Sequence, residues 1–175
     1  MNNDLVYSPP PHQHHPHDFK QVNFAIITIS DSRTVKTDKS GQYITDFLTD
    51  KGHKVVIREI VPDEKATIRT KVLNLTENDQ IDIIITTGGT GITKRDVTPE
   101  AIKPLITKEI PGFGETFRVL SFAEIGTNGL LSRVFAGTIG TTAVFALPGS
   151  VNACSLAAEK LIEPMVGHLM AMLIT

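Results

Sequence analysis

A three-layer α/β/α fold with a mostly parallel central sheet is what this chain of 175 residues predicts. Three observations carry that expectation. Short β-branched runs alternate with stretches of helical period from Val22 onward. One of those runs, IDIIIT at residues 81–86, is apolar at nearly every position. Glycine- and proline-bearing loops follow the runs. Strands that alternate with helices need crossover connections, which build a parallel sheet covered on both faces. A central strand of such a sheet is buried on both sides and so loses its polar alternation.

The elements follow in order. Residues 1–20 stand apart: Pro9, Pro10, Pro11 and Pro16 surround His12, His14, His15 and His17, which reads as an extended His/Pro arm ahead of a single domain over residues 21–175. Such a histidine cluster suits incidental metal binding, but no carboxylate or cysteine spacing completes a site. Residues 22–30 (VNFAIITIS) read as a strand. Residues 40–51 place Tyr43, Ile44, Phe47 and Leu48 on one helical face, and Gly52 ends that helix. Residues 54–61 form a strand and 64–77 a helix carrying Ile68, Val72 and Leu75. After the strand at 81–86, residues 98–106 suit a helix with Thr98 as N-cap and Pro99 in its first turn, which Pro104 shortens. Residues 113–124 are amphipathic. Residues 143–147 form a strand, and the chain is helical from Val151, with Pro164 expected to kink or break it. That last stretch is apolar almost all round, which marks it as core or as a subunit contact.

Composition narrows the function. Lys and Arg number 17 against 19 Asp and Glu, a net charge of −2. Phosphate-backbone binding needs a basic surface, so nucleic acid is not an expected partner. The apolar share of 41% and charged share of 21% are ordinary for a globular domain that builds its own core. The single cysteine, Cys154, excludes an intramolecular disulfide and a cysteine-based zinc site, and fits a reducing, cytoplasmic setting. No basic, apolar leader opens the chain, and no apolar run is long enough to span a bilayer.

In doubly covered parallel sheets, ligands bind outside the carboxyl ends of the strands. The loops there are therefore the candidates. Thr87, Gly88, Gly89, Thr90 and Gly91 directly follow a predicted strand. Glycines let the backbone approach a ligand closely, and exposed N–H groups form an anion-binding concavity. A nearby helix start strengthens it. The loop is neither a P-loop, since Ile92, Thr93 and Lys94 stand where Gly-Lys-Ser/Thr is required, nor a dinucleotide fingerprint, whose third glycine falls on Lys94. Pro148, Gly149 and Ser150 form a second strand-to-helix loop, and Ser30, Asp31, Ser32 and Arg33 a third. Arg33, Lys94 and Arg95 are candidates to neutralise phosphate. Asp63 and Asp96 each precede a helix, where a carboxylate caps as readily as it catalyses. Beside a phosphate loop, two carboxylates repel the ligand unless a cation such as Mg²⁺ lies between. That arrangement suits phosphoryl or nucleotidyl transfer. Cys154 reads as a buried structural thiol, and no nucleophilic triad is evident.

These motifs taken together resemble a known family. TTGGTGITKRD at residues 86–96, continued by VTPEA to Ala101, is similar to the signature of the molybdenum cofactor biosynthesis proteins MoaB and MogA and of the gephyrin G domain. The likeness spans residues 22–172. It includes TISD ending at Asp31, VPDE ending at Glu64, GFGE ending at Glu115, LSR ending at Arg133 and LPGS ending at Ser150. The PGSVNA run to Ala153 brings it nearest the MoaB branch. The resemblance implies a molybdopterin-binding fold that assembles as trimers or hexamers. It also implies adenylylation of molybdopterin with Mg-ATP, releasing pyrophosphate, before a partner enzyme inserts molybdenum or tungsten. Asp63 and Asp96 match the family's catalytic and metal-binding aspartates. The glycine loop and residues 148–150 match its phosphate and nucleotide loops, and Ser132 a serine near its pterin pocket. A non-catalytic oligomer that binds molybdopterin and hands it on is the alternative to the transferase. A related fold that hydrolyses ADP-ribose-like pyrophosphates is a second one.

Overall fold

The structure is a computed structural model, and it describes residues 21–174. The His/Pro arm lies outside the described residues. In chain order the main elements are β1 (Asn23–Ile29), α1 (Lys39–Asp50), β2 (Lys54–Val61), α2 (Lys65–Thr76), β3 (Ile83–Thr87), α3 (Thr98–Ile102), β4 (Lys108–Glu109), α4 (Pro111–Ile125), β5 (Phe135–Ile139), β6 (Thr142–Leu147), α5 (Val151–Ala157) and α6 (Glu163–Leu173). The strands form one sheet in the order β2-β1-β3-β6-β5-β4. The four strands β2, β1, β3 and β6 run parallel, while β5 is antiparallel to β6 and to β4. The expected mostly parallel α/β architecture is therefore present.

Strand alternation divides the apolar side chains into two cores. Phe24, Ile26, Ile83, Ile85 and Phe145 face α1, α4 and the C-terminal helices. Ala25, Ile27, Ile84 and Val144 face α2 and α3. Successive strand residues point to opposite faces and both faces of β3 are covered, so Ile83, Ile84 and Ile85 are all apolar and even Thr86 and Thr87 are buried.

Three local readings need correction, and one helix cap was not foreseen. Strands β4 and β5 were not expected; β5 is five residues long with Gly137 at its centre, and β4 is two residues. Gly137 is required there, because a Cβ would sit 2.7 Å from the Lys108 carbonyl oxygen of the neighbouring edge strand. The cap of α1 is Asp38, whose side chain accepts from Gly41 N–H. Thr98 does not cap α3; Val97 holds that position, and the Thr98 hydroxyl donates to the Gly88 carbonyl at 2.8 Å. Finally, Pro164 does not break the C-terminal helix. A π-helical turn at Ala158–Ile162 precedes it, in which the Glu163 N–H bonds the Ala158 carbonyl, so the helical ladder shifts by one residue just before the proline that lacks an N–H.

His53 sits between α1 and β2, 9% exposed, its ring edge-on to Phe24 at a centroid distance of 5.4 Å. Its Nδ1 accepts the Val22 N–H at 3.3 Å. Burial holds its pKa below the ordinary histidine value of 6.5, against the opposing pull of Glu163. The fold thus favours the neutral ring. Its stabilisation is present above pH 6.5 and falls as the pH drops through that value, since the unfolded chain takes up the proton first. Urea titrations at pH 5.5 and 7.5 should show a lower midpoint in acid, and His53→Asn should shrink the difference.

Candidate active site

Parallel strands deliver their following loops to one edge of the sheet. The loops after β1, β2, β3 and β6 meet there and are tied to one another. Ser30 N–H donates to the Val61 carbonyl at 2.9 Å, and Gly88 N–H to the Leu147 carbonyl at 3.0 Å. A Cβ on Gly149 would lie 3.4 Å from Gly88 Cα, so the glycine loop and the Pro148-Gly149-Ser150 loop are in direct backbone contact.

The glycine loop has a defined shape. Gly88 and Gly89 hold φ of +103° and +64°, in the region that favours glycine. Thr98 fastens the loop twice, through its N–H to the Gly89 carbonyl at 3.0 Å and its hydroxyl to Gly88. Arg133 fastens it from the other side. Its N–H reaches the Thr90 carbonyl at 2.9 Å, its Nε the Gly91 carbonyl at 2.7 Å and its Nη2 the Asp96 carbonyl at 2.7 Å. A fourth contact pairs Arg133 with Glu100. With the carbonyls facing Thr98 and Arg133, Gly89 and Thr90 keep N–H groups that meet no acceptor among the described residues. The N-terminus of α5 adds further free N–H groups after Ser150, whose hydroxyl accepts from Ala153 N–H at 3.3 Å. The capping role of Ser150 is thus realised within a loop that also faces the site.

Three carboxylates gather beside these donors. Asp31 and Asp63 exchange hydrogen bonds: Asp31 N–H donates to Asp63 Oδ2 at 3.0 Å, and Asp63 N–H to Asp31 Oδ1 at 2.9 Å. Arg95 pairs with Asp31. Neither Asp63 nor Asp96 caps its helix. The cap position of α2 is Glu64, and Asp96 instead accepts from the N–H and hydroxyl of Thr93, at 2.9 and 2.6 Å.

Their environments push the acids apart. The Asp63 N–H and then Arg95 hold Asp31 below the usual carboxylate range. Burial, then the charges of Asp31 and Asp96, push Asp63 above it. Burial also acts upward on Asp96, but Thr93, Gly91 and the charge of Arg133 outweigh it and hold that carboxyl low. A raised carboxyl among like charges is a place where a cation is favoured. Among the described residues, no three His, Cys, Asp or Glu side chains form a metal cage on their own. The set fits Mg²⁺, which takes one or two carboxylates and completes its shell with phosphate oxygens and water.

Ser132 lies beyond Arg133, on the wall of a cavity of about 420 Å³ shared with Lys103, Glu115, Arg118 and Arg133. Its hydroxyl is buried with no hydrogen-bond partner among the described residues. An orphaned buried hydroxyl is costly, and a polar ligand relieves it. Ser30 serves a local turn, accepting from Ser32 and Arg33 N–H. Thr87 is fully buried, its hydroxyl 3.2 Å from Ser40 Oγ. Cys154 is buried, its thiol pushed up to about 12 by that burial, and it is no nucleophile. Sequence reasoning missed Arg133 as the clamp of the glycine loop and Asp38 as a site-side acid. The LSR motif and the Asp-x-Ser-Gly start of α1 were the available signals.

A family model described as a probable molybdopterin binding domain matches residues 25–168, which take in every loop of this site. The chain belongs to this family. The molybdopterin-binding domain here is 52% identical over 151 residues to molybdenum cofactor biosynthesis protein B of Bacillus cereus, covering 86% of this chain and 89% of that protein. A crystal structure of a molybdenum cofactor biosynthesis protein B superposes with a TM-score of 0.86 at 51% identity, over 89% of this chain and 97% of the other. The tungsten cofactor synthesizing protein MoaB from Pyrococcus furiosus superposes with a TM-score of 0.79 at 38% identity, over 89% and 99%. Among the described residues, no helix is long and apolar enough to cross a membrane.

Proposed function

We propose that this chain serves molybdenum cofactor biosynthesis by adenylylating molybdopterin with Mg-ATP. The observation that carries the reading is the meeting of two anion loops and three carboxylates at one edge of the sheet. Anion donors alone suit a binding protein. Donors beside a carboxylate pushed up by like charges suit a site that holds a cation and polyphosphate together.

In the proposed step, the terminal phosphate oxygen of molybdopterin attacks the α-phosphorus of ATP. A new P–O bond forms, the α–β bridge breaks, and pyrophosphate leaves with the bridging oxygen. The N–H groups of Gly89 and Thr90 and the α5 N-terminus hold phosphate oxygens where charge builds up. Asp63 and Asp96 would hold Mg²⁺, with Asp31 orienting Asp63. Bound Mg²⁺ supplies charge neutralisation on the phosphates. Ser132 and its cavity would take the pterin. Exposed Val119, Phe122, Ile125, Leu130 and Leu131 around the end of α4 support self-association through that face. The product would pass to an enzyme that inserts the metal.

Mixing the protein with Mg-ATP and molybdopterin should release one pyrophosphate per site, and neither substrate alone should. Tight molybdopterin binding without pyrophosphate release would favour the ligand-carrying role instead.

A further inference from the structure

A chain of buried polar groups runs beneath the anion loops, and the proposed reaction does not use it. Its hub is Asp38, 1% exposed. One oxygen, Oδ1, accepts from Gly41 N–H at 3.0 Å and Ser40 Oγ at 3.2 Å. The other, Oδ2, accepts from Thr28 Oγ1 and from Arg58, at 2.9 and 3.0 Å. Arg33 completes the set, its Nη1 3.6 Å from Oδ1. An N-cap needs one such bond; this acid holds two guanidinium groups as well. Burial acts upward on its pKa, and the hydrogen bonds and Arg58 more than offset that, so it is ionised.

Arg33 carries the arrangement outward. Its guanidinium donates to Ser40 Oγ and, at 2.6 Å, to the Gly149 carbonyl across 116 residues of chain. Ser40 in turn hydrogen-bonds Thr87, the residue that leads into Gly88. Cys154 donates its thiol to the Pro148 carbonyl at 3.2 Å. One connected set therefore touches the loop after β1, the last residue of β3 and the loop after β6. Holding the Gly149 carbonyl fixes a residue that is itself packed on the glycine loop, since a Cβ on Gly149 would lie 3.4 Å from Gly88 Cα. Two guanidinium groups against one carboxylate also leave a net positive charge at the base of the loops.

We propose that Arg33, oriented by Asp38, is a positioning residue for the polyphosphate of the nucleotide, setting the Gly149 loop against the glycine loop. The inference rests on the nucleotide reading of these loops.

The test is equilibrium binding of Mg-ATP to the full chain, beside molybdopterin binding, for wild type, Arg33→Ala, Arg33→Lys and Asp38→Asn. Arg33→Ala should weaken Mg-ATP by on the order of tenfold and leave molybdopterin within about twofold, and ethylguanidinium should restore part of the loss. Arg33→Lys keeps the charge and should show a similar loss, because an ammonium does not reproduce the planar fork between Ser40 and Gly149; it carries the test if the alanine variant does not fold. Asp38→Asn retains a cap acceptor and should weaken Mg-ATP in the same sense. Wild-type Mg-ATP affinity in folded Arg33 variants overturns the inference alone. Equal loss of both ligands without guanidinium rescue marks a merely structural role and also overturns it. A wild type that binds no Mg-ATP overturns the nucleotide reading, and this inference with it.

Discussion

Asp96→Asn is expected to fold like the wild type and to lose adenylyl transfer by roughly 10²–10³-fold, the range seen when one preorganised electrostatic group is removed. The substitution keeps an oxygen acceptor for the two Thr93 donors that hold the loop, at 2.9 and 2.6 Å. It removes the charge and turns the other oxygen into an amide donor. Because its hydrogen bonds and Arg133 hold Asp96 low against the upward effect of burial, the carboxylate is already ionised well below neutral pH. The defect should therefore not be recovered by raising the pH. A rapid-quench measurement with saturating substrates separates this from weak binding, since the loss falls on the rate. A variant as fast as wild type would leave Asp96 with only its loop-closing role.

Gly88→Ala is expected to be the most damaging small substitution in the site. Gly88 has φ +103°, and a Cβ there would overlap the Ile29 carbonyl oxygen, which is backbone and cannot swing aside. Strain and overpacking together should cost about 3 kcal/mol, lowering Tm by about 10 °C. Gly52→Ala is the control. Its φ is +87°, but nothing lies within 4 Å of the added methyl, so only the backbone strain of about 1 kcal/mol applies. Differential scanning calorimetry on the pair tests the account. Equal losses would mean that the close approach of β1 to the glycine loop contributes nothing.

The parallel part of the sheet was legible because burial on both faces writes itself into composition, as in Ile83, Ile84 and Ile85 of β3. The site loops were legible because parallel strands all release their loops at one edge, so the positions of residues 87–91 and 148–150 followed from the strand assignments. What was hidden is what depends on distance in sequence. Strand β5 has Gly137 where a strand-former is expected, and only its closeness to Lys108 explains the glycine. Thr98 has the chemistry of a cap, yet the nearby Gly88 carbonyl takes its hydroxyl. Arg33 reads as a candidate to neutralise phosphate, but its hold on the Gly149 carbonyl, 116 residues away, is visible only in the fold. Asp31 is a candidate from its loop alone, but its exchange of hydrogen bonds with Asp63, 32 residues away, shows only in the folded chain. The fate of Pro164 turned on the π turn before it, which no residue pattern announces.

The central claim is that these loops and carboxylates transfer an adenylyl group to molybdopterin. The most direct measurement is a single turnover with enzyme in excess, freshly prepared molybdopterin and Mg-ATP labelled at the α-phosphate, with the products identified by mass. The account predicts one labelled AMP joined to the pterin phosphate for each pyrophosphate released, and its loss in Asp96→Asn. Unmodified molybdopterin recovered from a protein that binds both substrates would contradict it.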